Sequence, residues 1–257
     1  MTDDLWVPIA IFATYLIMLI GERFAAARPF SPRPGWRWVG WGFLLLLFTI
    51  NGVLPELLPV AWIAEHALLP GHRLGVAGGV VVGVLAFTLV DYWVHRALHR
   101  FDVLWRAIHQ VHHGAERVDI YGSAVLHPVE IALFVVENIL VSVFLLGLDP
   151  HAVAIAGYLG AFMAMFQHWN IRTPRWIGWV IQRPESHCLH HERHVHGRNY
   201  SNLPLWDMLF GTFANPAEFS GDVGFDGHAG RRLGAMLLGR DVNRGAAQPA
   251  YRLPGRY

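Results

Sequence analysis

The strongest constraint on this chain is a series of long apolar runs that contain almost no charged residues. A helix needs about 20 such residues to cross about 30 Å of hydrocarbon. Of the 257 residues, 54% are hydrophobic and only 15% are charged, whereas about a quarter are charged in soluble domains. The pattern predicts an all-α, multi-pass transmembrane helical bundle with four or five spans. The predicted spans are Leu5–Gly21, Trp38–Pro55, Leu74–Val90, Pro128–Leu148 and Ala152–Ile171.

The arginines between these runs predict how the bundle is oriented. Loops that stay in the cytoplasm are enriched in arginine and lysine. Four arginines lie in the 22–37 loop and four more in the 96–117 segment, and Arg172, Arg175 and Arg183 follow the fifth run. If the N-terminus is outside, all three arginine-rich segments fall on the cytoplasmic side. The polar region after residue 171 is then cytoplasmic, as a helical cap on the bundle.

Histidine is the unusual residue of the composition, with 16 copies against 19 acidic residues. Eight of them form three clusters in which neighbours are one, three or four residues apart. Residues three and four apart share one face of a helix. The clusters, together with His127 and His168, all fall on the predicted cytoplasmic side. The clustered residues are His95 and His99, then His109, His112 and His113, and finally His187, His190 and His191.

This many imidazoles indicates a binuclear metal site. Neutral imidazole binds iron, zinc, copper and nickel well. Eight or nine are too many for one ion and suit two, whereas a structural zinc site needs about four ligands, usually with cysteine. The chain has one cysteine, Cys188, interpreted as a packing residue. Either a carboxylate, hydroxide or oxo group shares the site, or acidic residues orient the imidazoles. Asp91, one turn before His95, is the candidate for orienting them.

The three clusters carry a family resemblance. HRALH (95–99), HQVHH (109–113) and HCLHH (187–191) resemble the three histidine boxes of the fatty acid hydroxylase and sterol desaturase superfamily. The likeness covers roughly residues 85 to 215.

The resemblance extends beyond the boxes. LHPVE (126–130) resembles the segment that opens the next spanning helix in that superfamily. QHWN (167–170) resembles the end of its last span, and NYSNLPLWDMLFGTF (199–213) resembles its closing segment.

The resemblance implies two non-haem iron ions, molecular oxygen as co-substrate and a fatty acyl or sterol-like lipid that is hydroxylated or desaturated. It implies an external electron supply, expected from a separate ferredoxin, cytochrome b5 or reductase type of protein. No nucleic-acid partner is expected, since the net charge is only +1. Asp91, His127 and Asn199 are candidates for hydrogen bonding to the ligands. The implied ligands are His95, His99, His109, His112, His113, His168, His187, His190 and His191.

The chain divides into three predicted regions: membrane helices at 1–90, a histidine-box catalytic region at 91–215 and a cytoplasmic tail at 216–257. The tail is expected to be loosely structured. His194 and His196 are expected to be solvated or to lie at the rim of the substrate site, and the role of Glu137 inside the fourth run is left open.

Two alternative functions fit the same residues. One is a monooxygenase that cleaves ether lipids of the alkylglycerol type, for which tetrahydropterin dependence is diagnostic. The other is a metal-binding membrane transporter or sensor without redox chemistry. The transporter is disfavoured because the histidines cluster at one surface and no line of polar residues crosses the predicted spans.

Overall fold

The computed structural model of the chain describes residues 5–30 and 32–243. Every regular element in these ranges is a helix, which confirms the predicted all-α class. An isolated antiparallel bridge joins Glu192 to Val223.

The N-terminal part of the fold consists of three long helices with short turns between the second and third. The short helix and the following 3₁₀ turn, Gly71–Leu74, correspond to the mixed, proline-interrupted stretch of the sequence. The helices are α1 (Trp6–Ala25), α2 (Trp36–Leu57), α3 (Val60–Glu65) and α4 (Gly75–Arg100).

A chain of short helical segments follows and carries the second histidine box. Between its first two helices lies a π-helical turn, Trp105–His109. Asp119 caps the last of these helices by accepting a hydrogen bond from the backbone N–H of Gly122 at 2.8 Å. The helices are α5 (Asp102–Leu104), α6 (Gln110–His113) and α7 (Ile120–Ser123).

Two antiparallel helices then cross the fold and return. Helix α8 (Pro128–Asn138) continues as a π-helix, Ile139–Leu145, and α9 runs over Pro150–His168. Proline at the first helical position is favoured because its missing N–H needs no partner there. Asp149 caps α9 by accepting from the backbone N–H of His151 at 2.8 Å.

The region after α9 forms the cap over the ends of these helices. It begins with a 3₁₀ turn, Arg175–Trp179, and contains a second turn, Asp226–Arg231. Its α-helices are α10 (Pro184–His190), α11 (Pro204–Phe210) and α12 (Leu233–Leu237).

Four helices in the described residues are long and apolar enough to cross a membrane, which supports an integral, multi-pass membrane protein. The fifth predicted run forms α9, which is not among the four and has His151 at one end and Gln167 and His168 at the other. The four spans are Trp6–Ala25, Trp36–Leu57, Gly71–Arg100 and Pro128–Leu145.

The close approach of α4 and α9 depends on glycine. A Cβ atom at Gly79 would lie 2.7 Å from the Cβ of Ala152, and one at Gly83 would lie 2.9 Å from a methyl group of Leu148. Small residues allow helices to pack closely where the surrounding lipid provides no hydrophobic driving force. The glycine-rich composition of α4 therefore reflects its packing partner.

Polar contacts fix the long helices at both ends. At one end, the backbone N–H of Leu68 donates to the carbonyl of Phe144 at 2.8 Å. At the other, the carboxylate of Glu22 accepts from the backbone N–H groups of Ile120 at 3.0 Å and Asn170 at 3.2 Å. This second end is also where α4 finishes, α8 begins and α9 finishes, so all three histidine boxes meet there.

The structure corrects the prediction of a loosely structured tail for residues 216–243. Val223, Phe225, Met236 and Val242 are buried. Met236 packs against Gly114, directly after the second histidine box. The rest of that predicted tail, 244–257, lies outside the described residues.

Candidate metal centre

The nine histidines predicted as ligands lie together in two groups, each of which could hold a metal ion. Within a group, one nitrogen from each imidazole lies within 4.8 Å of the corresponding nitrogens of the others. The five-histidine group contains His95, His99, His109, His113 and His190. The four-histidine group contains His112, His168, His187 and His191.

The two groups do not correspond to the sequence boxes. His112 and His113 are adjacent in the chain, yet they belong to different groups, and so do His190 and His191. Successive side chains on a helix point about 100° apart, so a pair of adjacent histidines can face two points at once. The second and third boxes therefore both connect the two groups.

The Nε2 atoms of the five-histidine group point at one another. Nε2 of His109 lies 3.1 Å from that of His95, 3.0 Å from that of His99 and 3.1 Å from that of His113. A neutral imidazole has one N–H and one lone pair, so a single nitrogen cannot hydrogen bond to three such neighbours.

In the four-histidine group, Nε2 atoms also point at one another. Nε2 of His187 lies 2.9 Å from Nε2 of both His168 and His191. The ring of His112 completes the group, with its centroid 4.9 Å from that of His168 and 4.7 Å from that of His191.

These spacings fit metal coordination. Two imidazole nitrogens that lie about 2.1 Å from one ion, at right angles, are about 3.0 Å apart. The observed separations between Nε2 atoms range from 2.9 to 3.2 Å. Zinc, copper, iron and nickel all accept an imidazole donor set of this kind.

Four of the nine imidazoles are oriented by hydrogen bonds from Nδ1, which leaves Nε2 to face its group. Three of these bonds go to backbone carbonyls and the fourth goes to a carboxylate. The Nδ1 atoms of His95, His190 and His112 donate to the carbonyls of Tyr200 at 2.6 Å, Arg198 at 2.7 Å and Val125 at 3.3 Å, and Nδ1 of His109 donates to Glu130 at 2.6 Å.

Burial keeps these imidazoles neutral, as metal ligands must be. Removal from water lowers the pKa of His109 and of His112 to about 3. The same cause, followed by the proximity of other histidines, lowers the pKa of His187 and His191 well below its ordinary value.

The residues predicted to orient the ligands take other positions. Asp91 is buried, but the carbonyl of Tyr200 rather than Asp91 accepts from Nδ1 of His95. The carboxylate of Asp91 instead lies near enough to Glu137 of α8 to interact electrostatically with it. His127 caps α8, its Nδ1 accepting from the backbone N–H of Val129 at 3.2 Å.

Asn199 supports the third box through backbone contacts and touches no ligand directly. It adopts a left-handed backbone conformation, with φ of 55°. Its side-chain amide donates to the carbonyls of Ser186 at 2.9 Å and Ala214 at 3.0 Å. Ser186 precedes His187, so Asn199 ties α10 to the segment that closes the cap.

Glu130 has a role that the sequence reasoning did not assign. It lies in the first turn of α8 and is fully buried, with one oxygen on the imidazole of His109. Its presence in the LHPVE segment, in the first turn of a mostly apolar helix, was the signal available in the sequence.

Asp207 organises the closing segment. Its carboxylate accepts from the backbone N–H groups of Tyr200 at 2.8 Å and Ser201 at 2.9 Å and from the hydroxyl of Thr212 at 2.6 Å. These bonds fix the peptide that includes Tyr200, whose carbonyl in turn holds His95. Asp207 therefore acts on the five-histidine group through the backbone.

Arg183 is fully buried. It donates to Asn215 Oδ1 at 2.6 Å and to the carbonyl of Thr173 at 2.8 Å, and it pairs with Glu185 at 3.1 Å. These contacts anchor the start of α10, which carries the third box.

His194 and His196 have different environments. His194 is partly exposed and pairs with Asp226 at 2.9 Å. The ring of His196 lies against the five-histidine group, 4.9 Å from that of His113 and 5.1 Å from that of Trp105. His196 therefore lines the edge of the site, and His194 faces solvent.

Residues 80–212, just over half of the chain, match the fatty acid hydroxylase family. The chain therefore belongs to that family, which confirms the resemblance carried by the histidine boxes. No solved structure matches it significantly.

Several curated proteins are similar to the matched region. An ornithine lipid hydroxylase of Rhizobium tropici is 30% identical over 62% of this chain and 49% of its own length. An alkylglycerol monooxygenase of Danio rerio is 33% identical over 52% of this chain and 31% of its own. A lathosterol oxidase of Mus musculus is 29% identical over 55% of this chain and 47% of its own. The matches thus span about half or less of each relative.

Proposed function

We propose that this chain is a membrane-bound di-iron oxygenase that hydroxylates or desaturates a fatty acyl or sterol-like lipid. The observation that carries the proposal is the convergence of nine neutral imidazoles into one group of five and one group of four. Family membership and the lipid-oxidising relatives support the class of reaction.

The residues present fit two metal ions. The five-histidine group would hold one and the four-histidine group the other. Iron, when bound, supplies the binding and reduction of oxygen and the oxidation of an unactivated C–H bond. Hydroxylation then consumes one O₂, two electrons and two protons and forms one water, while desaturation forms two waters from the same reactants.

The chain itself positions the donors and excludes water. Glu130 and the carbonyl of Tyr200 fix the rings of His109 and His95. Trp105 covers the five-histidine group, its ring centroid 5.1 Å from that of His99. Such rigid support keeps coordination positions open and directed at the substrate.

Electrons are proposed to come from a separate donor protein on the cytoplasmic side. The arginine pattern supports that side for the histidine groups. A donor would have to approach the cap, because the opposite ends of the spans lie a full bilayer thickness away.

Metal analysis of protein purified without oxygen in mild detergent tests the proposal. We expect two iron ions per chain and, in iron-57-enriched material, a Mössbauer spectrum of a coupled, nitrogen-rich pair. His112→Ala and His190→Ala, one from each group, are expected to abolish turnover while the chain still inserts in the membrane. His194→Ala is the matched control, because His194 is partly exposed and faces Asp226. Full activity in either ligand variant would refute the two-metal assignment.

A second candidate is an ether-lipid monooxygenase, favoured by the 33% identity to an alkylglycerol monooxygenase. Dependence of turnover on tetrahydropterin, with an alkylglycerol as substrate, would select it. Zinc in place of iron, with zinc flux in proteoliposomes and no oxygen uptake, would instead point to the transporter alternative.

A further inference from the structure

The cap has an apolar outer face that none of the four spans accounts for. In α11, Leu205, Met208 and Leu209 are exposed, and Leu209 is 65% accessible. The three residues share one side of the helix, since they are three and four positions apart. On the opposite side, Pro204 and Asp207 are buried. The helix is thus amphipathic with its apolar side turned outward.

The neighbouring 3₁₀ turn extends this face. Trp176, Trp179 and Val180 are exposed, Trp176 by 67%. The turn packs against α11, and the ring of Trp179 lies 5.1 Å from that of Phe213. We call the exposed residues of α11 and of this turn the apolar cap face. A group of neighbouring exposed apolar residues on one face often marks a surface that is covered in use.

The apolar cap face lies beside the histidine-side end of a candidate membrane span, α4. The indole N–H of Trp206 donates to the hydroxyl of Thr88 at 2.9 Å, and the ring of Phe210 lies 4.9 Å from that of Trp93. Thr88 falls within the predicted span Leu74–Val90, and Trp93 lies three residues beyond it. Helix α11 therefore packs where α4 is expected to leave the hydrocarbon layer.

The buried carboxylate of Asp207, on the inner side of α11, has its hydrogen-bond partners within the protein. Asp207 accepts from two backbone N–H groups and from Thr212. Arg172 and Arg175, next to the exposed tryptophans, are themselves exposed. Tryptophan flanked by arginine is the usual composition of a membrane–water interface.

We infer that the apolar cap face is embedded in the interfacial layer and outer hydrocarbon of the leaflet on the histidine side. The cap is then a partly immersed structure, with α11 lying against α4 in lipid. The occupant of this face is the bilayer itself, because the face continues the lipid-facing surface of a spanning helix.

Three aromatic rings connect the same segment to the candidate metal centre. Phe210 stacks on Tyr92 at 5.0 Å, Tyr92 contacts Tyr200 at 5.9 Å, and the ring of Tyr200 lies 5.7 Å from that of His95. The contacts between α11 and the five-histidine group are therefore made by aromatic rings.

Spin labelling in nanodiscs of phosphatidylcholine and phosphatidylglycerol tests the embedding. Nitroxides are attached to Leu209→Cys, to Leu205→Cys on the same face, and to the control Asp222→Cys, whose side chain is 80% exposed elsewhere on the cap. The native Cys188 is buried and so does not compete for the label. Two cap-face sites guard against one variant misfolding.

We expect labels at 205 and 209 to collide more with dissolved oxygen than with a water-soluble nickel chelate, and the label at 222 to do the reverse. Preferential collision with nickel at 205 and 209 would overturn the inference. Exclusion of both reagents there would also overturn it, in favour of a protein partner or a second copy of the chain. The readout needs neither iron nor turnover, so metal content measured on the same samples tests the proposed function separately.

Discussion

Adjacent histidines are the residues that give the centre its two-part form. His113 and His190 face the five-histidine group, and their neighbours His112 and His191 face the other. Adjacent side chains on a helix point about 100° apart, so each pair contributes one imidazole to each group.

Glu130 is expected to control metal affinity through His109. Replacing it with alanine removes the acceptor 2.6 Å from Nδ1 of His109 and frees the ring to rotate. Loss of such an orienting group typically lowers metal affinity about 10- to 100-fold. Competition of purified protein against a chelator of known affinity measures the effect.

A conservative variant and a control at an exposed site test this explanation. Glu130→Gln retains an oxygen acceptor and should lose less affinity than Glu130→Ala. Glu218→Ala, at a side chain that is 81% exposed, should leave affinity unchanged. Equal affinity in Glu130→Ala and the parent chain would show that His109 holds its position without the carboxylate.

Cys188 is expected to be unreactive in the folded protein. It is only 3% exposed, and burial raises the pKa of its thiol to about 11, so almost no thiolate forms at neutral pH. N-ethylmaleimide at pH 7.5 should leave it unmodified in native membranes and label it fully in sodium dodecyl sulfate. Mass spectrometry gives the extent, with Asp222→Cys as a control that reacts in both conditions. Rapid native labelling of Cys188 would mean that α10 opens readily.

At the level of elements, the packing of α4 on α9 leaves no room for a larger residue. Gly79→Ala would place a Cβ 2.7 Å from that of Ala152, so the helices must move apart. Overpacking of this kind costs about 1–3 kcal/mol. Thermal unfolding in detergent, followed by the fraction that stays monodisperse, should show a lower transition temperature.

Gly157→Ala is the matched control on α9. A Cβ there meets nothing within 4 Å, and alanine favours a helix over glycine by up to about 1 kcal/mol. This variant should be as stable as the parent or more so. If Gly79→Ala unfolded at the same temperature as Gly157→Ala, the close contact between α4 and α9 would not limit the size of residue 79.

The elements that hold the centre were only partly predictable. Apolar length and histidine spacing are local properties, and they correctly indicated the all-α class and the four candidate spans among the five predicted runs. The support of His95 by Tyr200 depends on a contact between residues more than a hundred positions apart, and no local pattern encodes it. The burial of Arg183 has the same origin, because its partner Asn215 lies 32 positions along the chain and no local pattern indicates the contact.

For the whole molecule, the arginine distribution leads to a definite expectation about sidedness. Leu69, half-exposed in the turn before α4, lies at the end of the bundle opposite the histidines. A membrane-impermeant maleimide should label Leu69→Cys in intact cells and Asp222→Cys only after permeabilisation. The reverse pattern would place the histidine groups outside and remove cytoplasmic proteins as electron donors.

The residues of the candidate centre are synthesised at different times, because they lie far apart in the chain. Its ligands extend from His95 in α4 to His191 after α10, and Asp207 comes later still. A growing chain therefore exposes the imidazoles of its first two boxes before the third box and the closing segment have been made. Until the closing segment folds against α4, newly made chains would be vulnerable to capture of the wrong ion.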